Sequence, residues 1–241
     1  NIEKIISAIV EILPQAYIVI VDDNSSDGTG IIARRLSELN NKIFVIRRQK
    51  KQGLGSAYKD GFRFVLDNLD AEYIFEMDAD LSHNPQYLPL FLHYAKTYDL
   101  VTGSRFLGRV SIKNRARWRN IISKTTKWFF NLALGMNLSD VTTGFKCFRR
   151  NLLEKIDFFK IKSKGYTFQI EVSFDAENLS ASIKEIPIVF IERTSGASKM
   201  SMGIMLEGAF LILRLTLQRL IRNLTRISLS APVNGKRTWY G

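Results

Sequence analysis

Up to residue 103 the hydrophobic period of this chain switches repeatedly between helical spacing and strand spacing, and that alternation restricts the possible folds more than any other feature. Ile2, Ile5, Ile6, Ile9, Val10 and Leu13 fall on one face of a helix. Tyr17 to Val21 is then a short β-branched run closed by Asp22-Asp23-Asn24. Ser26-Asp27-Gly28 supplies turn and cap chemistry ahead of a helix over 29–40, and a strand follows at Ile43–Ile46. Gly53-Leu54-Gly55 opens a helix reaching Leu69, Tyr73–Met77 is a strand ending at Asp78, and Asn84-Pro85 starts a helix before a strand at Asp99–Gly103. This order predicts the α/β class, with a doubly wound, mostly parallel sheet covered by helices on both faces.

After Gly103 the pattern changes. Residues 105–127 carry Arg105, Arg109, Lys113, Arg115, Arg117, Arg119, Lys124 and Lys127 without a single acid, and an amphipathic helix is expected to run on to Gly135. A strand over Val141–Phe148, a short helix near 151–157, a helix near 167–179, a strand over Ile183–Ile191 and a last helix over 204–226 complete the reading. The simplest division is one domain over 1–203 with a basic amphipathic insertion, a C-terminal amphipathic helix over 204–230 and a flexible tail over 231–241.

Charge narrows the partners. Thirty-five Lys and Arg against 23 Asp and Glu give +12, which calls for nucleic acid, a phosphorylated substrate or acidic lipid headgroups. Cys147 is the single cysteine, so an intrachain disulfide and a cysteine-based metal site are both excluded. No segment resembles a signal peptide. The most apolar stretch, Gly203 to Leu217, contains Glu207 and Arg214, and falls short of the ~20 apolar residues that a membrane span needs. Contact with a bilayer is therefore expected at its surface.

In open α/β sheets ligands gather at the carboxyl ends of strands. Two such ends here are acidic: Asp22-Asp23-Asn24-Ser25-Ser26-Asp27-Gly28 and Asp78-Ala79-Asp80-Leu81-Ser82-His83. Carboxylates this close repel one another unless a cation or hydrogen-bond donors compensate, so a hard divalent metal at Asp78 and Asp80 is one reading and helix N-capping is the other. For His83, His93 and Cys147 packing is the expected role, and for Arg109, Arg115 and Arg117 a solvated surface charge.

Taken in order, six motifs resemble the family 2 inverting glycosyltransferases of GT-A fold, in particular the polyprenyl (dolichyl) monophosphate mannose synthases. They are Val21-Asp22-Asp23 with Ser25 and Asp27, Gly53-Leu54-Gly55-Ser56-Ala57, Met77 to His83, Gly103-Ser104-Arg105, Ser163 to Gln169, and Arg193 to Lys199. Together they span about residues 1–206. The last two separate this subgroup from cellulose- and chitin-synthase relatives.

The resemblance implies roles residue by residue. Val21 and Asp23 match positions that recognise the nucleotide base, and Asp78 and Ala79 lie along the nucleotide sugar. Asp80 matches the principal ligand of Mg²⁺ or Mn²⁺, with Asp78 beside it and Ser82 standing where the family often has Gln. Arg105, Arg119, Arg193 and Lys199 match positions that hold the acceptor phosphate and the nucleotide diphosphate, Arg119 on the acceptor side, Arg193 and Lys199 on the nucleotide side and Arg105 on both, while Asp80 also meets the nucleotide sugar. Asp80, Arg105 and Arg119 are the expected catalytic residues.

The implied reaction joins mannose from GDP-mannose to polyprenyl phosphate with inversion at the cytoplasmic face of a membrane. A membrane-anchoring subunit is a possible partner and nucleic acid is not expected. Trp118, Ile121, Ile122, Trp128, Phe129 and Phe130 accompany the basic run, as an interfacial element requires. Leu211, Leu215 and Leu220 lie among Arg214, Arg219, Arg222 and Arg226 in the last helix. Family members begin with a strand and loop that this sequence does not show, so a first strand of the sheet is expected beyond those read here. Two alternatives stand: a polyprenyl phosphate glucosyltransferase using UDP-glucose, and a non-catalytic basic protein that binds membrane or nucleic acid.

Overall fold

The computed structural model describes residues 1–107, 112–113, 134–163, 165, 167–191, 208 and 210–222. Helix α1 (Ile2–Ile12) buries Ile2, Ile5 and Ile6, three residues of its apolar stripe, and strand β1 (Ile18–Asp22) follows. Helix α2 (Thr29–Leu39), β2 (Ile43–Arg47), α3 (Leu54–Asn68) and β3 (Tyr73–Glu76) continue the alternation. A 3-10 turn at Pro85–Tyr87 leads into α4 (Leu88–Ala95) and the fully buried β4 (Leu100–Ser104). Beyond come β5 (Ile112–Lys113), β6 (Lys146–Arg149), α5 (Arg150–Lys155), α6 (Thr167–Asn178), β7 (Ile183–Pro187) and β8 (Phe190–Ile191). Helix α7 covers 210–222.

β1 and β2 pair in parallel, and a separate four-stranded sheet has the order β3-β6-β4-β7. β6 runs antiparallel to both β3 and β4, whereas β4 and β7 are parallel. The short β5 and β8 pair in parallel. Between β1 and β3, which share no ladder, lies an apolar cleft of about 790 Å³. Its side walls are residues 18–21 of β1 and 73–76 of β3; α1 closes one face through Ile5 and Ile9, and α3 the other through Gly61 and Phe62.

Helix α6 is buried on almost every side. Phe168, Val172 and Ala176 pack with Ile74, Leu100 and Phe148 of the sheet. Ile170 and Phe174 pack with Leu211 and Leu215 of α7, together with Leu134, Met136, Leu138 and Val141. The polar residues of α6 are thus held inside the molecule, where each needs a partner.

Two expected strands are shorter than the sequence pattern suggests. In place of the run Val141–Phe148 the strand is Lys146–Arg149, because side chains in 140–143 bond locally: Asp140 Oδ1 accepts from Thr142 N and Thr143 Oγ1 from Phe145 N. The run 183–191 breaks after Pro187 into β7 and β8. Leu211 and Leu215 enter the core, while Phe210, Leu213, Leu217, Leu220 and Ile221 form an exposed stripe along α7. Its arginines turn inward: Arg214 pairs with Glu171, and Arg222 Nη2 donates to Asn178 O at 2.6 Å. The aromatic and basic positions between 114 and 133 lie outside the described residues, as do 223–241.

Candidate active site

The chemistry gathers where β1, β3 and β4 end. Beyond β1, Asp23 stitches two loops together: its carboxylate accepts from Gln52 N at 3.0 Å and Gly53 N at 2.9 Å, and pairs with Arg48 Nη1 at 2.9 Å. Arg48, only 4% exposed, also reaches Ser56 Oγ at 2.5 Å and Asp60 at 3.2 Å. Gly53 has φ 97, a conformation that favours glycine, and this turns its N–H to Asp23. Asp27 lies ahead of α2, whose N-cap is Gly28; its Oδ1 accepts from Thr29 N at 3.1 Å and so turns the chain into the helix.

After β3 the acidic loop is fixed at each polar residue. Tyr58 Oη donates to Asp78 Oδ1 at 3.1 Å, and Asp78 N donates to His83 Nδ1 at 3.0 Å. Asp80 Oδ1 accepts from Ser82 N at 2.9 Å. Between them Leu81 sits at φ 68, a left-handed conformation costly for a side chain of this size, and the bonds on either side hold it there. Ser82 Oγ is buried with no hydrogen-bond partner.

His83 is buried, stacked on Phe145 at 5.0 Å and edge-on to Phe190 at 5.9 Å. Burial lowers its pKa despite the acids nearby, and its Nδ1 already accepts the hydrogen bond from Asp78 N. The imidazole is therefore neutral, with its proton on Nε2, and it packs as expected. Cys147 is likewise a core residue, and burial pushes its thiol pKa well up.

Beneath Asp78 lies a polar layer that the motifs did not disclose. Lys146 Nζ donates to Glu76 Oε1 at 3.1 Å, to Thr143 O at 2.6 Å and to Gln169 Oε1. Burial raises the Glu76 pKa to about 7 even though Lys146 draws it down, and burial lowers that of Lys146. A lysine inside the apolar run Phe145 to Phe148 was the signal that could have revealed it.

Beyond β4, Arg105 is held by a carboxylate. Its Nε donates to Asp140 Oδ2 at 2.6 Å, and its Nη2 to Asp140 Oδ1 at 2.8 Å and Thr142 Oγ1 at 2.6 Å. The guanidinium lies 5.3 Å from the Phe190 ring and 5.6 Å from that of Phe106. His83 meets the same Phe190 ring, so Arg105 stands next to the acidic loop.

Residues 1–157 match the Glycosyl transferase family 2 profile. A Micrococcus luteus protein named undecaprenyl-phosphate mannosyltransferase is 38% identical over 229 residues, 95% of this chain and 89% of that one. The chain belongs to glycosyl transferase family 2. A second family 2 relative, a Mycolicibacterium smegmatis protein named polyprenol monophosphomannose synthase, is 38% identical over 212 residues, 87% of this chain and 80% of its own length.

Among solved structures, glucosyl-3-phosphoglycerate synthase from Mycobacterium tuberculosis in complex with phosphoglyceric acid superposes with a TM-score of 0.62. It is 17% identical, covering 90% of this chain and 74% of its own. The same enzyme with Mn²⁺, UDP-glucose and phosphoglyceric acid gives 0.60 at 17% identity, covering 90% and 74%. At that identity the likeness is one of fold, and it bears out the GT-A expectation.

The donor set of this glycosyltransferase fits a divalent metal. Mg²⁺ and Mn²⁺ take one or two protein carboxylates and fill the remaining positions with phosphate and water, so Asp78 and Asp80 suffice without a third acid. No cluster of three or more His, Cys, Asp or Glu suited to a metal occurs among the described residues. The unpartnered Ser82 Oγ is a further oxygen beside the pair. Val21, Asp78 and Ala79 line the cleft between β1 and β3, while Arg105 stands beyond β4. Arg119, Arg193 and Lys199 lie outside the described residues.

Proposed function

We propose that this glycosyltransferase moves mannose from GDP-mannose to a polyprenyl phosphate with inversion, giving polyprenyl phosphate β-mannose. The 38% identical relatives named for mannose transfer to, or mannosides of, polyprenyl phosphates support this reading over nearly the whole chain. The observation that carries the chemistry is the state of His83. Buried, neutral and engaged at Nδ1, it does not serve as a base, and the described residues place no other histidine beside the acidic loop. Such a site suits a nucleophile that is already ionised, as a phosphate monoester is.

In that reaction a phosphate oxygen of the acceptor forms a bond to C1 of the mannose. The bond from C1 to the diphosphate breaks on the opposite face and its electron pair leaves with GDP, so no proton is transferred. Val21, Asp23, Asp78 and Ala79 are assigned to the donor, and Arg105 and Arg119 to the acceptor phosphate. Arg193 and Lys199, with Arg105, are assigned to the diphosphate. Asp78, Asp80 and Ser82 would hold Mg²⁺ or Mn²⁺, which supplies positive charge to the departing diphosphate.

Two features support the rest of the reading. The stripe of Phe210, Leu213, Leu217, Leu220 and Ile221 suits peripheral attachment to the cytoplasmic face of a membrane or to an anchoring subunit, and no described helix is long and apolar enough to cross one. The cleft between β1 and β3 has the walls of a strand position. A strand there, parallel to β1, would feed a right-handed crossover through α1 and end beside Val21, Asp78 and Ala79.

The test supplies the full-length protein with polyprenyl phosphate vesicles and radiolabelled GDP-mannose or UDP-glucose. Label should enter the lipid phase from GDP-mannose as a β-linked product. Incorporation from UDP-glucose alone would overturn the donor assignment, and none from either the reaction class.

A further inference from the structure

We propose that Asp140 is a positioning residue for Arg105 and that Glu185, from β7, fixes Asp140. This rests on the reading above in which Arg105 meets the acceptor phosphate. A long cation on a loop after β4 has many rotamers, and only one orientation presents it to a reacting phosphate. Asp140 removes that freedom. It binds the Nε and Nη2 edge of the guanidinium with both oxygens, and its Oδ2 also accepts from Arg105 N at 3.1 Å, so side chain and backbone are fixed to one carboxylate. The Asp140 side chain is fully buried whereas that of Arg105 is 20% exposed, which places the brace inside and the cation at the surface of the site.

A second carboxylate stands behind the first. Glu185 Oε1 accepts from Ser139 N at 2.8 Å, from Ser139 Oγ at 2.6 Å and from Asp140 N at 3.1 Å, and its Oε2 from Ser139 N at 2.8 Å. Glu185 is cross-strand to Thr102 of β4, the strand that delivers Arg105. Ser104 Oγ also bonds Ser139 Oγ. The turn carrying Asp140 is thus tied through Ser139 and Asp140 to both strands of the pair that carries its target, and the chain of contacts runs Glu185, Asp140, Arg105. Burial works against ionised Asp140, and Arg105 with its hydrogen bonds outweighs it, so the pKa lies below the usual carboxylate value. Phe106 and Phe190 flank the same guanidinium and confine it further.

A double-mutant cycle on the full-length protein tests this, with Arg105→Ala, Asp140→Asn and the pair of substitutions together. The readouts are kcat and KM for polyprenyl phosphate, KM for GDP-mannose, and the melting temperature. Asp140→Asn is expected to lower kcat/KM for the acceptor by about 10- to 100-fold, with a smaller rise in donor KM because Arg105 is assigned to the diphosphate as well. The double variant should then be no worse than Arg105→Ala. Losses that multiply, or an Asp140→Asn enzyme that performs as the parent, overturn the positioning role. If Arg105→Ala leaves the acceptor constants unchanged, the assignment of Arg105 itself fails, which is a separate outcome from multiplied losses. Should Asp140→Asn not fold, Glu185→Gln runs the same cycle from one contact further away.

Discussion

Lys146 and Glu76 face each other across β6 and β3, 3.1 Å apart, with both side chains wholly shut off from solvent. Two residues along the chain from Glu76, Asp78 begins the acidic loop, so this ion pair forms part of the floor on which that loop rests. A buried pair need not add net stability, but removing one partner leaves the other without compensation. Replacing Lys146 with Met should therefore destabilise the fold by about 3–5 kcal/mol, read as a lower urea midpoint at unchanged slope.

Asp80→Ala should abolish transfer while leaving the melting temperature close to that of the parent. Its Oδ1 accepts from Ser82 N two residues along, and the half-buried side chain is not part of the hydrophobic core, so its loss costs little packing. A fall of more than about 100-fold in kcat is expected, exceeding what loss of a residue behind a metal ligand causes. Full activity in this variant would remove Asp80 from the mechanism.

Asp175 on α6 carries a pKa raised to about 6 by burial and by repulsion from Glu171 on the same helix. Arg214 from α7 and Lys160 oppose the shift, and Asp157 adds to it. The folded state thus binds this proton more tightly than the unfolded chain does, whose carboxyl titrates near 3.8. The contribution is fully present below 3.8 and is lost as pH rises through about 6. Melting scans should show Asp175→Asn to be more stable than the parent at pH above about 7, with the advantage gone below about 4.

On α7, Phe210→Asp with Leu217→Asp should weaken sedimentation with anionic vesicles and leave the melting temperature unchanged, since both side chains are exposed. Leu215→Asp is the contrasting variant. That side chain packs with Ile170 and Phe174, and its replacement should lower the melting temperature.

Much of the first half of the fold was legible because each element there announces itself locally. The stripe Ile2, Ile5, Ile6 and the runs ending at Asp22 and Asp78 need no distant partner to be read, and the strand ends located the acidic loops at once. Arg105 shows where that ceases. Its place among the candidates came from a motif, but its partner Asp140 is 35 residues away, immediately before a stretch that reads as strand. Asp140, Thr142 and Thr143 use their side chains to bond the backbone or each other, an option that hydrophobic period does not register. Asp23 gives a related lesson. The motif placed it against a nucleotide base, and the structure also gives it the work of tying Gln52, Gly53 and Arg48 together. Lys146 and Gln169 were invisible as a pair for the same reason as Arg105 and Asp140, because they meet only when β6 and α6 pack.

The cleft between β1 and β3 bears on how the molecule comes apart. Among the described residues the pair β1–β2 and the four-stranded sheet share no backbone ladder, so helices and side chains alone join them unless a strand occupies the cleft. Opening of the first pair breaks apolar contacts along α1 and α3 and leaves the β4–β6 hydrogen bonds standing. With the cleft unfilled, amide protons of Ile20 and Phe44, which lie in the β1–β2 ladder, should exchange sooner than those of Val101 and Cys147 in the β4–β6 ladder, marking two cooperative units.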